Sequence, residues 1–228
     1  MTTSAPTSRC ATAPPERVTS GRGAALWLLL GALAAGPAGA DCRDLAAPRA
    51  VPTAADGQWS LATFNLWRLR DTEKNSPIDR PLDDAVYQAR LDALAGYIVD
   101  TLKAPVLLAV QEVENIAILE QLAERVTAQG GPRYRARLLE GHDPAGMDVA
   151  LLHRAPAQVG GVRALFADQR FRGQPLFSRP PLAVSLTAPR ELTLVIVHLR
   201  SANGLGEKPW VAEKRRRQAA RLAEWCGA

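Results

Sequence analysis

A short apolar run that ends in carboxylates and amides constrains this chain more than any other feature. Residues 107–115 have the sequence LLAVQEVEN. Apolar residues with β propensity predict a buried strand, and its C-terminal tip carries Glu112. Sheets in α/β proteins usually bind ligands outside the carboxyl ends of their strands. We therefore expect Glu112 to reach a surface crevice. The alternative is that Glu112 begins the next helix, where a carboxylate favours the helix dipole.

Hydrophobic periodicity predicts strands and helices on both sides of this run. An alternating segment over residues 59–66 predicts a strand that carries Asn65, and residues 68–81 are predicted to form a loop. Apolar residues at spacings of three and four predict a helix within residues 82–103. Further strands are predicted over residues 134–139, 147–152, 181–186 and 192–198. Two more helices are predicted, one ending before Gly130 and one from about Trp210, and residues 156–179 are predicted to be irregular. This order is typical of a mixed α/β protein.

Length and composition indicate one globular domain. The 228 residues suffice for a core, and 47% hydrophobic and 22% charged residues are ordinary values that exclude bulk disorder. The net charge is +5, of which Arg9, Glu16, Arg17 and Arg22 contribute +2 before residue 41, leaving +3 for the rest. A mildly basic body suits a polyanionic substrate without identifying one.

The N-terminal segment has the pattern of a secretory signal. Arg17 and Arg22 precede an apolar run over residues 24–35, and small residues stand at −3 and −1 of a cut after Ala40. We expect a signal peptide over residues 1–40, a leader over 41–57 and the domain over 58–228. The run is shorter than the roughly 20 residues of a spanning helix. We therefore expect a secreted or periplasmic protein with no stable membrane anchor after cleavage; a retained anchor is the alternative.

Two cysteines would remain after cleavage at Ala40. These are Cys42 and Cys226, which lie near the two ends of the remaining chain. In an exported protein they either pair or stay free, and their spacing does not decide between these states.

Five stretches, taken in order, resemble the endonuclease/exonuclease/phosphatase superfamily and specifically its secreted bacterial nuclease-like members. They are LATFN (61–65), VQEVEN (110–115), GMDVALL (146–152), VHLRS (197–201) and RQA (217–219). The resemblance covers residues 59–226 and implies a four-layer sandwich of two mixed β-sheets flanked by helices. It also implies a divalent cation, usually Mg²⁺ (or Mn²⁺ or Ca²⁺), and hydrolysis of a phosphodiester or phosphomonoester.

The resemblance implies a role for each matching residue. Glu112 would be the metal-binding carboxylate, and Asn65 would orient or ligate the metal, or orient the scissile phosphate. His198 would contact the phosphate or stabilise its developing charge, and Asp148 would lie near the site. The chemistry is consistent, because Mg²⁺ is often held by one or two carboxylates plus water and phosphate oxygens. Arg200 and Ser201 are the candidate phosphate-binding residues.

Each of these residues also has a structural interpretation. Asn65 could be a polar strand end, Asp148 a turn residue, and His198 a core histidine that closes an apolar run. Arg200 and Ser201 could belong to a solvated loop. We expect structural or peripheral roles for several other polar residues. Glu114 is predicted to start a helix, and His153 to lie in the core. His142 and Asp143 are predicted to lie in a loop that borders the cleft, and residues 214–217 on a solvated helix face from which Arg217 reaches inward.

Two motifs expected from the resemblance do not occur in the sequence. A Gly-Asp-x-Asn would supply the Asp that activates the nucleophile, and a Ser-Asp-His would supply a general base. The chain stops at Ala228, where the strand before the first motif should start. We therefore expect a sandwich whose C-terminal strands are missing, from a truncated or frameshifted gene or half of a split protein. Its exposed apolar face and strand edges would make it poorly soluble or partner-dependent.

These patterns favour a metal-dependent phosphodiester hydrolase, a secreted nuclease whose activity is in question because half of the site is absent. Its substrate would be nucleic acid or another phosphoester. One alternative is a phosphatase or phospholipase-type esterase with the same metal site, since loops such as 68–81 and 156–180 would set specificity. The other is a non-catalytic remnant that binds polyanions or a partner.

Overall fold

The computed structural model describes residues 51–227. The predicted signal peptide and Cys42 lie outside the described residues, and Cys226 is exposed. The strands are β1 (Leu61–Leu69), β2 (Leu107–Val113), β3 (Arg135–Leu138), β4 (Asp148–His153), β5 (Gln158–Ala164), β6 (Arg170–Phe171), β7 (Gln174–Pro175), β8 (Leu182–Ala188) and β9 (Leu192–Ile196). The helices are α1 (Asp84–Gly96), which continues into a π-helical turn (Tyr97–Thr101), α2 (Ile116–Ala128) and α3 (Pro209–Gly227).

The longer strands form two sheets. The first sheet has the order β1-β2-β4-β3, in which β1 and β2 are parallel and the other pairs are antiparallel. The second sheet has the order β5-β8-β9 and is antiparallel throughout. The short strands β6 and β7 pair in a separate hairpin.

Apolar side chains on both faces of the first sheet explain why its central strands are continuously hydrophobic. Leu108, Val110 and Leu152 pack on one side with Leu91 of α1 and Leu119 of α2. On the other side, Leu107, Ala109 and Leu151 pack against Val184 and Ile196 of the second sheet. Strands buried on both faces need apolar residues at successive positions, as in β2.

The third helix packs beside the hairpin. Trp210 and Leu222 of α3 contact a cluster formed by Phe171, Leu176 and Phe177. The predicted fold class is therefore confirmed: the chain is a mixed α/β protein in which two sheets pack face to face and helices flank them.

Two parts of the sequence-based prediction need correction. Residues 156–179 were expected to be irregular, yet they contain β5 and the β6–β7 hairpin. Two adjacent glycines weaken the local strand signal of β5, and pairing with β8, interrupted by irregular register, overrides it. The helix predicted within residues 82–103 also changes character after Gly96, where it becomes a π-helical turn. In residues 51–227, no helix has the length and apolar character needed to cross a membrane.

Candidate active site

The strand tip that carries Glu112 has two adjacent bulges, one in β1 opposite β2 and one in β2 opposite β4. β1 and β2 are in register up to Asn65 and Gln111, and pairing resumes at Leu69 and Val113, so that three residues of β1 lie opposite the single Glu112. Glu112 has φ of 62°, and Trp67 and Arg68 have φ of 51° and 54°. The left-handed conformation costs about 1–2 kcal/mol for a residue with a Cβ. Such strain tends to cluster at functional sites.

The carboxylate of Glu112 is held from three directions. Asn65 Nδ2 donates to Oε1 at 3.1 Å, and the backbone N–H of Arg68 donates to Oε2 at 3.1 Å. Nε2 of His198 lies 3.6 Å from Oε1. Side-chain exposures of 22% for Glu112 and 18% for His198 leave both groups accessible at the edge of the core. Three of the residues singled out in the sequence therefore meet at one point.

Asn65 is fixed in orientation by its two contacts. Its Oδ1 accepts the backbone N–H of Trp67 at 2.8 Å, while its Nδ2 donates to Glu112. A flipped amide would set a donor against the Trp67 N–H and an acceptor against the carboxylate. Asn65 thus ties the bulge of β1 to the carboxylate on β2.

Arg90 of α1 supports the bulge of β1 and was not singled out in the sequence. Its guanidinium donates to the carbonyl oxygens of Leu66 at 2.7 Å, of Trp67, and of Arg68 at 3.4 Å. Burial lowers the pKa of Arg90, and the charge of Glu112 opposes that effect. The available signal was its position three residues after Tyr87, on the flank of the apolar helix face.

His198 follows β9 and is half-buried. Burial lowers its pKa and the positive charge of Arg179 lowers it further, while Glu112 and Asp143 act in the opposite direction. A pKa below the usual value of about 6.5 keeps the imidazole neutral at neutral pH, with one N–H donor and one acceptor nitrogen. This environment differs from that of a core histidine, because the ring borders the exposed edge of Glu112.

Asp148 lies at the start of β4 and contacts the preceding loop. Only 3% of the residue is exposed. Burial raises the pKa of Asp148 to about 8, and neighbouring Glu140 contributes, whereas a hydrogen bond from the backbone of Gly141 lowers it. A Cβ added at Gly141 would lie 2.5 Å from Oδ1 of Asp148, so this close approach requires glycine. The structure therefore links Asp148 to the shape of the 140–143 loop.

That loop also carries an ion pair beside the histidine. Oδ2 of Asp143 accepts from Arg179 Nη1 at 2.9 Å, and both side chains are about 15% exposed. Both charges influence the pKa of His198. Asp143 and Arg179 therefore lie close enough to His198 for their charges to act on its ring.

Arg200 lines a separate cavity of about 450 Å³ with His142, Phe171, Trp210 and Lys214. The guanidinium of Arg200 lies over the ring of Trp210, 5.4 Å from its centroid. Lys214 is 7% exposed and its Nζ donates to the carbonyl of Pro175 at 2.8 Å. Burial lowers the pKa of Lys214, and the charges of Arg200 and Arg179 add to this. Arg179, Arg200 and Lys214 therefore form a cluster of positive charge.

Two sequence-based assignments near this cavity differ from the structure. The inward basic residue of α3 is Lys214, whereas Arg217 is exposed and pairs with Glu213 at 2.9 Å. Lys214 lies four residues before the buried Gln218 and so shares its helix face. Ser201 is exposed, and its Oγ accepts the backbone N–H of Asn203 at 3.1 Å. Arg200 lines the cavity; Ser201 shapes a turn.

Glu114 does not begin a helix. Asn115 is the N-cap of α2, and its Oδ1 accepts the N–H of Ile118 at 3.0 Å. Glu114 is 5% exposed and accepts the backbone N–H of Asp71 at 3.0 Å, which ties the 68–81 loop to the end of β2. Burial raises the pKa of Glu114, and a hydrogen bond from the backbone of Asp71 lowers it.

The donor set fits a weakly held divalent cation. In residues 51–227, no three His, Cys, Asp or Glu side chains converge in a metal-binding cluster. Glu112 has one N–H on each oxygen, which leaves lone pairs free for a cation. Mg²⁺ is commonly bound through one or two carboxylates, with water and phosphate oxygens completing its octahedron.

Comparisons with known proteins add little to this geometry. No family model matches the chain, and no curated protein matches it. Among solved structures, the chain is similar to a functionally unknown conserved protein from Enterococcus faecalis V583, with 19% identity and a TM-score of 0.39. The match covers 63% of this chain and 54% of that one, so this chain spans about half of its length. A likeness of this size supports no functional argument.

Proposed function

We propose that this protein is a metal-dependent phosphodiester hydrolase that acts on nucleic acid, as a secreted or periplasmic nuclease. One observation carries the proposal. Glu112 sits on a strained bulge at a strand tip, and Asn65, the Arg68 N–H and His198 surround its carboxylate. This set of groups suits a hard cation next to a phosphate-binding imidazole.

Each residue has a separate role in this proposal. Glu112 is the metal ligand, and Asn65 and the Arg68 N–H set its orientation. His198 donates its N–H to a non-bridging phosphate oxygen, and this hydrogen bond strengthens as negative charge develops there. A bound Mg²⁺ would polarise the phosphoryl group and offset its charge. Asp148 acts on the site through the 140–143 loop.

The cationic cavity supports a polyanionic substrate. Arg200 and Lys214 line it, and among the described residues neither forms an ion pair with a carboxylate. We assign them to phosphates adjacent to the scissile one. Arg200 retains the phosphate-binding role inferred from its sequence position, with Lys214 in place of Ser201.

An exposed tryptophan favours nucleic acid over a small or lipid phosphoester. Trp67 lies on the bulge between Asn65 and Arg68 and is 79% exposed. Sequence-independent nucleic-acid sites combine a basic groove with aromatic rings on which bases stack. The indole of Trp67, one residue before the Arg68 N–H that contacts Glu112, would stack on a base next to the scissile phosphate.

The cation-rich cavity also supports a second candidate function, polyanion binding without turnover. Neither a Gly-Asp-x-Asn nor a Ser-Asp-His motif occurs in the sequence. Glu112, His198, Arg200 and Lys214 would bind the metal and the phosphates, and no residue is assigned to activate the attacking water. Binding and cleavage must therefore be measured separately.

Cleavage of supercoiled plasmid DNA tests the proposal. We expect Mg²⁺-dependent nicking that is abolished by chelation and by Glu112→Gln. Glu191→Gln is the matched control, because Glu191 is exposed in the loop between β8 and β9. DNA binding without nicking by the unaltered chain, unaffected by Glu112→Gln, would support the polyanion-binding candidate. Mg²⁺-dependent release of phosphate from small monoesters, with plasmid intact, would support a phosphatase.

We also propose that residues 1–40 direct export. N-terminal sequencing of protein recovered from the periplasm or medium of an expressing bacterium should give Asp41 as the first residue. Recovery of uncleaved chain in the membrane fraction would contradict this part of the proposal.

A further inference from the structure

Arginines alternate along one edge of the first sheet. Arg133, Arg135 and Arg137 stand at every second position of the segment that enters and forms β3. Successive strand residues point to opposite faces, so these three share one face and are spaced about 7 Å apart. The intervening residues Tyr134, Ala136 and Leu138 pack with the helix-covered core. The alternation therefore turns a row of guanidiniums away from that core.

This row lines a groove on the open side of the sandwich. β3 is an edge strand of the first sheet, and β5 is an edge strand of the second. A groove of about 680 Å³ runs between them, and we call it the arginine groove. Its charged and titratable lining residues are Arg133, Arg135, Arg137, Arg154 and His153. Its other lining residues, including Ala157 and Gln158 at the start of β5, carry no charge.

No acidic residue of the described part of the chain lines the arginine groove. None of the four arginines forms an ion pair there. Arg154 donates instead to the carbonyls of Ala104 and Ala155, and Arg137 donates to the carbonyl of Ala136. Arg133, Arg135 and Arg137 also border a neighbouring groove on the α2 side of β3, which Glu120 and Glu124 line. Neither glutamate forms an ion pair with these arginines.

The arginine groove lies far from the Glu112 cluster. Arg135 is in register with His153, and His153 is in register with Leu107 at the start of β2. Glu112 lies five residues further along β2. At about 3.3 Å per residue, the Arg135 and Glu112 levels of the sheet are roughly 17 Å apart. Arg137 is in register through Leu151 with Ala109, which leaves roughly 10 Å along the strand and two strand spacings across the sheet. The groove therefore forms no part of the candidate active site.

We propose that the arginine groove is a second binding surface, which holds the phosphodiester backbone of a nucleic-acid strand without reading its sequence. Guanidinium groups match phosphate geometry through paired N–H donors. A row of evenly spaced cations suits a ligand with evenly spaced negative charges better than a single small anion. Its concave position between two sheet edges suits a strand better than a flat bilayer.

Binding of a fluorescent oligothymidylate of about 20 nucleotides, followed by anisotropy in the absence of divalent cations, tests this surface. The full chain is compared with Arg135→Gln/Arg137→Gln. We expect affinity to fall by about tenfold or more at low salt. We also expect the slope of log affinity against log salt to fall by about 1.4, because each phosphate contact on a single strand contributes about 0.7.

Two controls distinguish an effect of the arginine groove from a general loss of positive charge and from misfolding. Arg190→Gln/Arg216→Gln removes the same charge from exposed positions in the β8–β9 loop and on α3. Thermal melting compares the stability of both double variants. If the groove variant fails to fold, Arg133→Glu replaces it, because Arg133 is exposed and precedes β3.

The outcomes decide the proposal. A larger loss of affinity and slope in the groove variant than in the control supports it. Equal losses in the two double variants, or no loss in either, overturn the proposal. It is also overturned if the groove variant loses binding to anionic phospholipid vesicles but still binds oligothymidylate as the unaltered chain does. Self-association of the groove variant with unchanged binding would show that the arginines only protect an exposed sheet edge. Cleavage plays no part in the assay, so failure here leaves the active-site proposal standing, and the converse also holds.

Discussion

Nδ2 of Asn65 donates a 3.1 Å hydrogen bond to Oε1 of Glu112 and so joins the tips of β1 and β2. The same amide accepts the N–H of Trp67 through its oxygen. The carboxylate is therefore oriented by a side chain whose own orientation is fixed by the backbone. A carboxylate supported in this way would be preorganised to bind a cation.

Loss of the Asn65 amide should weaken metal binding while leaving the fold intact. We expect Asn65→Ala to lower Mn²⁺ affinity by about 10- to 100-fold, since residues that orient a metal ligand typically have effects of this size. Calorimetric titration measures the change. Asn203→Ala, in the exposed turn after Ser201, is the control and should bind Mn²⁺ as the unaltered chain does. Equal Mn²⁺ affinities for Asn65→Ala and Asn203→Ala would show that Asn65 does not position the metal-binding carboxylate.

Arg90 should stabilise the bulge through its planar guanidinium rather than through charge alone. Arg90→Lys keeps the charge but cannot reach the carbonyls of Leu66, Trp67 and Arg68 together. We expect unfolding by urea to show a loss of about 1–3 kcal/mol. Arg216→Lys, on the exposed face of α3, should be neutral. A neutral Arg90→Lys would mean that the bulge holds its conformation without this support.

Trp67 should contribute to binding only where the ligand carries bases. Stacking of one base on an aromatic ring contributes about 1–3 kcal/mol, so we expect Trp67→Ala to weaken oligothymidylate binding by roughly 5- to 150-fold. An abasic oligonucleotide of the same length should be almost unaffected. Leu192→Ala removes another exposed apolar side chain and serves as the control. An equal effect on both oligonucleotides would argue against stacking.

Stability should depend on pH through Asp148. Burial raises its pKa from the ordinary value of 3.8 to about 8. The folded protein therefore holds a proton that the unfolded chain releases above about pH 4, and this contribution is lost as pH rises towards about 8. Asp148→Asn removes the ionisation. We expect the melting temperature of the variant relative to the unaltered chain to rise between about pH 5 and about pH 8.

The control for this titration is Asp56→Asn, in the exposed segment before β1. Its melting temperature relative to the unaltered chain should stay constant over the same range. If the Asp148→Asn difference is also constant, the carboxyl of Asp148 is already ionised in the folded protein at pH 5, and its pKa is not raised.

The sequence predicted the strand that ends at Glu112 because a doubly buried strand has a distinctive apolar run with an abrupt polar end. His198 was recognisable for the same reason, since it closes the run of β9. The left-handed conformations at Trp67, Arg68 and Glu112 were not predictable, because the bulges arise from the pairing register of strands that are distant in sequence. The role of Arg90 depends on those bulges and could not be inferred before them.

The face of α3 that turns inward was assigned to Arg217 because four consecutive basic residues carry almost no apolar signal. Packing against the carbonyls of Pro175 and Leu176 selects Lys214 and Gln218 instead. β5 was missed for a related reason: its two glycines carry no strand propensity, and its neighbour β8 determines its conformation. The alternation of residues 133–138 indicates a strand, but only the sheet order shows that its arginines border an open groove.

Binding of Mn²⁺, measured by electron paramagnetic resonance, tests the role of Glu112 most directly because it requires no turnover. The unaltered chain and Glu191→Gln are predicted to bind Mn²⁺ with equal affinity, and Mg²⁺ should displace it. Glu112→Gln is predicted to lose this binding or weaken it by at least about tenfold. Its amide sets an N–H against one of the two donors, so its melting temperature should fall slightly and is measured to establish that the variant is folded. Equal Mn²⁺ affinity in all three proteins would contradict the assignment of Glu112 as the metal ligand.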